Sequence, residues 1–174
     1  MSALAARVEL DKESPAFASG AAIHGAIQDY AAAVVLAEEV DPIITELVRL
    51  RCGGVHDCRL CSSLRVDRAL ERGFDERMAA QIATYETSDL GDAAIAALRL
   101  TDAIILDPTA ADEELAAELK RHFTDAQIAE IGLDVVKWSE QKQMVALRIE
   151  PPAGDGLKVL MFDAEGAPLI GDSV

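Results

Sequence analysis

A chain of 174 residues is long enough for one domain with a real core, and 51% of its residues are apolar while only 4% are aromatic. Its formal charge of −15 excludes nucleic-acid backbones and anionic membrane surfaces as natural partners. No apolar run approaches the roughly 18 residues of a membrane span, and no basic-then-apolar leader opens the chain, so a cytoplasmic protein is expected.

Taken in order, residues 1–14 are mixed and polar and read as a lead-in. A helical domain is expected over residues 15–150, its first helix prefaced by Pro15. That helix, residues 16–39, carries Ile23, Ile27, Tyr30, Val34 and Val35 on one side, with His24 as a surface or interface residue. Pro42 opens a second helix, 42–55, with Ile43, Ile44, Leu47, Leu50 and Val55 at helical spacings. His56-Asp57 breaks it, and Asp57 is placed to cap a third helix over 58–72, stopped by Gly73.

Shorter helices follow at 75–85 and 112–123, around an amphipathic one at 90–106 that buries Ile95, Leu98, Ala103 and Ile105. Thr124 and Gln127 form a capping box at the start of a long helix to 147, with Ile128, Ile131, Val135, Trp138 and Val145 inward. Pro151-Pro152-Ala153-Gly154 closes the helical domain. The tail, 151–174, reads as two extended runs about a turn, packed on the body or on a neighbouring subunit. The predicted fold class is therefore all-α, a helical bundle with a short extended C-terminal tail.

All three cysteines fall within ten residues, at Cys52, Cys58 and Cys61. The Cys58-x-x-Cys61 spacing places two thiols one helical turn apart, with Cα atoms roughly 5 Å from each other, inside the span of about 4.4–6.8 Å that a disulfide needs. In a chain without a leader, such a pair is catalytic or metal-binding rather than structural. At a helix start Cys58 faces free N–H groups that favour a thiolate, with Arg59 and Arg65 in support and Asp57 opposed.

Cys58, Cys61 and Arg65 share one stripe of the predicted helix. Folding 42–55 against 58–72 brings Glu46 level with Arg65, so Glu46 can pass protons to a thiol while Arg65 holds its carboxylate. Cys52, His56, Cys58 and Cys61 are also four potential zinc ligands, although structural zinc sites usually join two separated pairs across a loop. Cys52 reads as a small buried hydrophobe, and Arg49 and Arg51 as a solvated or interface face.

Glu46, then Cys58-x-x-Cys61 twelve residues on, flanked by Glu46-Leu-Val-Arg-Leu-Arg and Ala69-Leu-Glu-Arg-Gly, resembles the alkylhydroperoxidase D / carboxymuconolactone decarboxylase family over about residues 40–150. The resemblance implies an all-α fold, a homo-oligomer (trimer or hexamer) and thiol-dependent reduction of a hydroperoxide, with an external dithiol as reductant and neither cofactor nor metal. It implies attack by Cys61, resolution by Cys58 and a proton relay through Glu46. Two positions depart from the family pattern. Its peroxidases place histidine where this chain has Arg65, and often where it has Leu60. Arginine does not deprotonate, so it cannot shuttle protons, and His56 is the candidate substitute. The alternatives are a zinc-binding or non-catalytic oligomeric module, and a lactone enzyme of the decarboxylase type, which needs no dithiol.

Overall fold

A computed structural model of the protein describes Arg7 and residues 21–148 and 155–174. The expected lead-in, the Pro15 helix start and the Pro151–Gly154 break lie outside the described residues. Helix α1 (Ala21–Val35) leaves His24 exposed, buries Val34 and Val35 and is pinned near its end by Tyr30, whose hydroxyl donates to the Leu133 carbonyl at 2.6 Å. Helix α2 (Pro42–Val55) starts as its sequence dictates: the Asp41 carboxylate accepts the Ile43 N–H at 2.8 Å, and Pro42 occupies a first-turn position that needs no donor. Its middle is buried on every side, from Glu46 through Leu50.

Beyond it come α3 (Arg59–Ser62), strand β1 (Leu64–Val66), α4 (Asp67–Glu71), α5 (Glu76–Gln81) and a 3₁₀ segment (Ile82–Thr87). Helix α6 (Asp92–Leu106) packs on α2 and leads to α7 (Glu113–His122), capped by Asp112. Of the four residues expected to be inward on α6, Leu98 and Ala103 are buried, whereas Ile95 and Ile105 are half-buried. Helix α8 (Asp125–Ser139) carries the predicted capping box with both of its hydrogen bonds, and α9 (Lys142–Leu147) follows. The core lies where α2, α6 and α8 meet, around Leu47, Val48, Leu98, Ile131 and Val135, none more than 1% exposed.

The tail forms the two expected runs, β2 (Lys158–Phe162) and β3 (Pro168–Ser173), paired antiparallel from Phe162 opposite Pro168 to Lys158 opposite Ser173. Gly166 turns the hairpin at φ +79°, and a Cβ there would lie 2.7 Å from Ala32 Cα on α1. Both the backbone angle and the close approach require glycine.

The other edge of β2 pairs in parallel with β1, Leu64 opposite Lys158 and Val66 opposite Leu160. This corrects the predicted helix over 58–72. Leu64, Arg65 and Val66 are all buried, and the ladder offered by a strand from the far end of the chain outweighs their local helical pattern. The long helix expected to 147 also divides, after Ser139, inside the polar run Ser139–Gln143 where no apolar side chain reports a face. Among the described residues, no helix is long and apolar enough to cross a membrane.

Candidate functional site

Cys58 and Cys61 are joined by a disulfide, their Cα atoms 5.3 Å apart, at the turn between α2 and α3. Asp57 does not cap α3. It holds φ +55°, a left-handed conformation that aspartate tolerates better than most residues, and this reverses the chain. Cys58 itself is the N-cap: its Sγ accepts the Cys61 N–H at 3.2 Å, and its own N–H donates to the Gly53 carbonyl at 2.9 Å. A Cβ on Gly53 would fall 3.1 Å from Cys61 Cβ, so α2 passes directly beneath the bridge.

Arg49, read from the sequence as part of a solvated or interface face, is 1% exposed and organises the underside of the site. It grips Glu46 through two hydrogen bonds of 2.6 and 2.7 Å, and donates to the carbonyls of Cys61 at 2.9 Å and Leu64 at 2.5 Å. A buried guanidinium with four such acceptors is satisfied as well as charged. The expected Glu46–Arg65 pair does not form. Because residue 65 lies on a strand, its guanidinium turns to Glu76, at 2.7 and 2.9 Å, and donates to the Ser62 and Leu64 carbonyls. Arg51 is likewise engaged, with Asp102 at 2.7 and 2.8 Å and over the Tyr85 ring.

Cys61 forms part of the wall of a cavity of about 290 Å³. Leu60, Leu64, Met144, Leu160, Phe162 and Ile170 give it apolar walls; Gln28, Arg49, Lys137, Glu140 and Gln141 are its polar groups. The Gln141 side chain lies against the disulfide, its Oε1 2.6 Å from Cys61 Sγ and 3.8 Å from Cys58 Sγ. A disulfide sulfur has no hydrogen to donate, so this contact becomes a hydrogen bond only when the pair is reduced. Gln141 sits in the break between α8 and α9, and the sequence carried no signal for it. Lys137 is buried, its Nζ 3.6 Å from the centre of the Trp138 ring and 3.6 Å from Glu140, and burial draws its pKa below that of an ordinary lysine. Trp138 is in the core, as expected, and also walls this cavity.

His56 is half-buried with Nε2 enclosed and unpartnered among the described residues, and its burial lowers its pKa. It does not line the Cys61 cavity. Cys52 is fully buried, and that burial pushes its thiol up to about 12, which makes it an unreactive hydrophobe. Among the described residues no three His, Cys, Asp or Glu side chains gather as metal ligands, so the four zinc candidates do not converge.

The chain thus has a mostly helical, alkylhydroperoxidase D-like fold, with a buried C-x-x-C disulfide beside an apolar cavity. In structure the chain is similar to a protein of unknown function from Agrobacterium tumefaciens, described as a candidate antioxidant defence protein AhpD. The TM-score is 0.59 and the identity 21%, over 86% of this chain and 100% of that one. In sequence it is similar to uncharacterized proteins of two Mycobacterium tuberculosis strains, H37Rv and CDC 1551, each 37% identical over 121 residues. The match takes in 69% of this chain but 43% of the mycobacterial proteins, so the chain spans less than half their length. No protein-family model matches the chain.

Proposed function

We propose that the protein is a thiol-dependent oxidoreductase of the alkylhydroperoxidase D type, reducing hydroperoxides through its Cys58/Cys61 pair. The observation that carries this reading is the position of Cys61 on the wall of an apolar cavity, already bridged to Cys58. In the reduced protein the Cys61 thiolate attacks the distal peroxide oxygen. The O–O bond breaks, an alcohol leaves, and Cys61 becomes a sulfenic acid. Attack by Cys58 then expels water and forms the disulfide, and an external dithiol restores the pair.

Glu46 is the proposed proton carrier, held by Arg49 rather than by Arg65. Arg65 supports the same turn from outside, through the Ser62 carbonyl. His56, away from the cavity, has its part on the Cys58 side.

The test is single turnover of the reduced protein with cumene hydroperoxide. Wild type and Cys52→Ser should each consume one equivalent and end with the Cys58–Cys61 bridge. Cys58→Ser should stop at a dimedone-reactive sulfenate on Cys61, and Cys61→Ser should consume none. Equal peroxide consumption by Cys61→Ser would overturn the reading.

A further inference from the structure

A second cavity, of about 470 Å³, shares no lining residue with the first. The neighbours of Cys58 line it: His56, Asp57 and Arg59. So do Lys142 at the start of α9, Arg148 at its C-cap, and Arg7, whose guanidinium donates to the Ala146 carbonyl at 2.9 Å. With Arg59 set aside, three cationic side chains and one carboxylate line it among the described residues, in a chain whose 31 acidic residues outnumber its 16 lysines and arginines. The molecule as a whole repels anions, while this concavity, walled by Val55, Ile105 and Val145, concentrates positive potential. The two sulfurs are buried, so a reductant has to be drawn to them, and the cationic cavity lies against the turn that carries Cys58.

We propose that this cavity seats the anionic part of the thiol that reduces the Cys58–Cys61 disulfide, so that the reductant is a carboxylate- or phosphate-bearing thiol. This rests on the redox reading above. The reductant's thiolate attacks Cys58 Sγ, forming a mixed disulfide and releasing Cys61 as a thiolate, which takes a proton from solvent. A second thiolate attacks the reductant's sulfur in that mixed disulfide and releases Cys58, which is protonated in turn. Two thiols become one disulfide, and the protein pair gains two electrons and two protons.

The experiment measures reduction of the oxidised protein by mercaptosuccinate, uncharged 2-mercaptoethanol and cationic cysteamine. Each rate is divided by that of the same thiol on a small neutral disulfide. The negative molecule alone would favour cysteamine. The proposal expects mercaptosuccinate to lead by roughly tenfold at low salt, with the lead lost at high salt and in Lys142→Gln/Arg148→Gln. Both changed residues are exposed, and circular dichroism checks that the variant is folded.

Cysteamine leading in wild type, or an unaltered order in the variant, would overturn the proposal. The His56 ring resonance, titrated with inorganic pyrophosphate, judges the cavity independently of redox chemistry: a saturable shift lost in the variant is expected, and no shift rejects the anion site. Failure of all three thiols to reduce the protein, with the pyrophosphate shift intact, would count against the dithiol reading while leaving the anion site standing.

Discussion

Asp134 should set the pH dependence of this protein's stability, and Asp134→Asn should remove it. The residue is 2% exposed on α8, and its Oδ2 has no partner among the described residues. Burial first, then repulsion from Glu130, pushes its carboxyl from 3.8 up to about 7, against weaker pulls from Thr45, Lys137 and Arg68. The folded state thus holds a proton that the unfolded chain releases near pH 3.8. Its stabilising contribution is complete below that value and is lost as pH rises towards 7. A shift of about three units, at about 1.36 kcal/mol each, sets a ceiling of about 4 kcal/mol.

Asparagine has the same shape and no charge to desolvate. Urea unfolding from pH 4.5 to pH 8 should show wild type losing stability relative to the variant across that interval. The difference should approach, without exceeding, about 4 kcal/mol at the alkaline end. Taking the difference between the two proteins cancels the titrating groups that do not interact with Asp134. Parallel profiles would refute the reasoning, because they would mean that the carboxyl ionises at no cost in the folded protein.

Arg49→Met should destabilise by about 3–5 kcal/mol, since it strands Glu46 as a buried unpaired carboxylate. Adding Glu46→Gln should recover much of that loss in urea unfolding, and a single variant within about 1 kcal/mol of wild type would contradict the assignment. Gly166→Ala, with φ +79° and its new Cβ against Ala32, should cost about 1–3 kcal/mol and loosen the hairpin from α1. Hydrogen exchange should then quicken at the Asp163 and Ala167 amides, which pair across the turn, and unchanged protection would reject the contact.

Local chemistry was legible without the structure. Pro42 and the Thr124–Gln127 box act within one helical turn of themselves, and each starts a helix where the sequence places it, whereas Asp57, read as a cap, turns the chain instead. The disulfide was legible for the same reason, since three residues separate its ends and one turn of backbone brings them into range. The two extended runs of the tail were legible as well, because strand-forming residues stand on either side of a turn around Gly166.

What tertiary structure decided was who meets whom across long separations. Residues 64–66 are a strand because Lys158, Val159 and Leu160 lie alongside them, and a one-dimensional pattern does not contain that partner. The strand in turn rotated Arg65 away from Glu46 and towards Glu76, leaving the buried carboxylate to Arg49 three residues along its own helix. Gln141 reached the disulfide only because α8 stops at Ser139, in a polar run whose spacing favours neither continuing nor breaking. The sequence by itself determined most of the helices, the tail strands and the spacing of the two thiols, since those depend on neighbours along the chain. The tertiary structure decided which charges are buried together and which cavity Cys61 lines, because a charge leaves water only where folding has placed its partner.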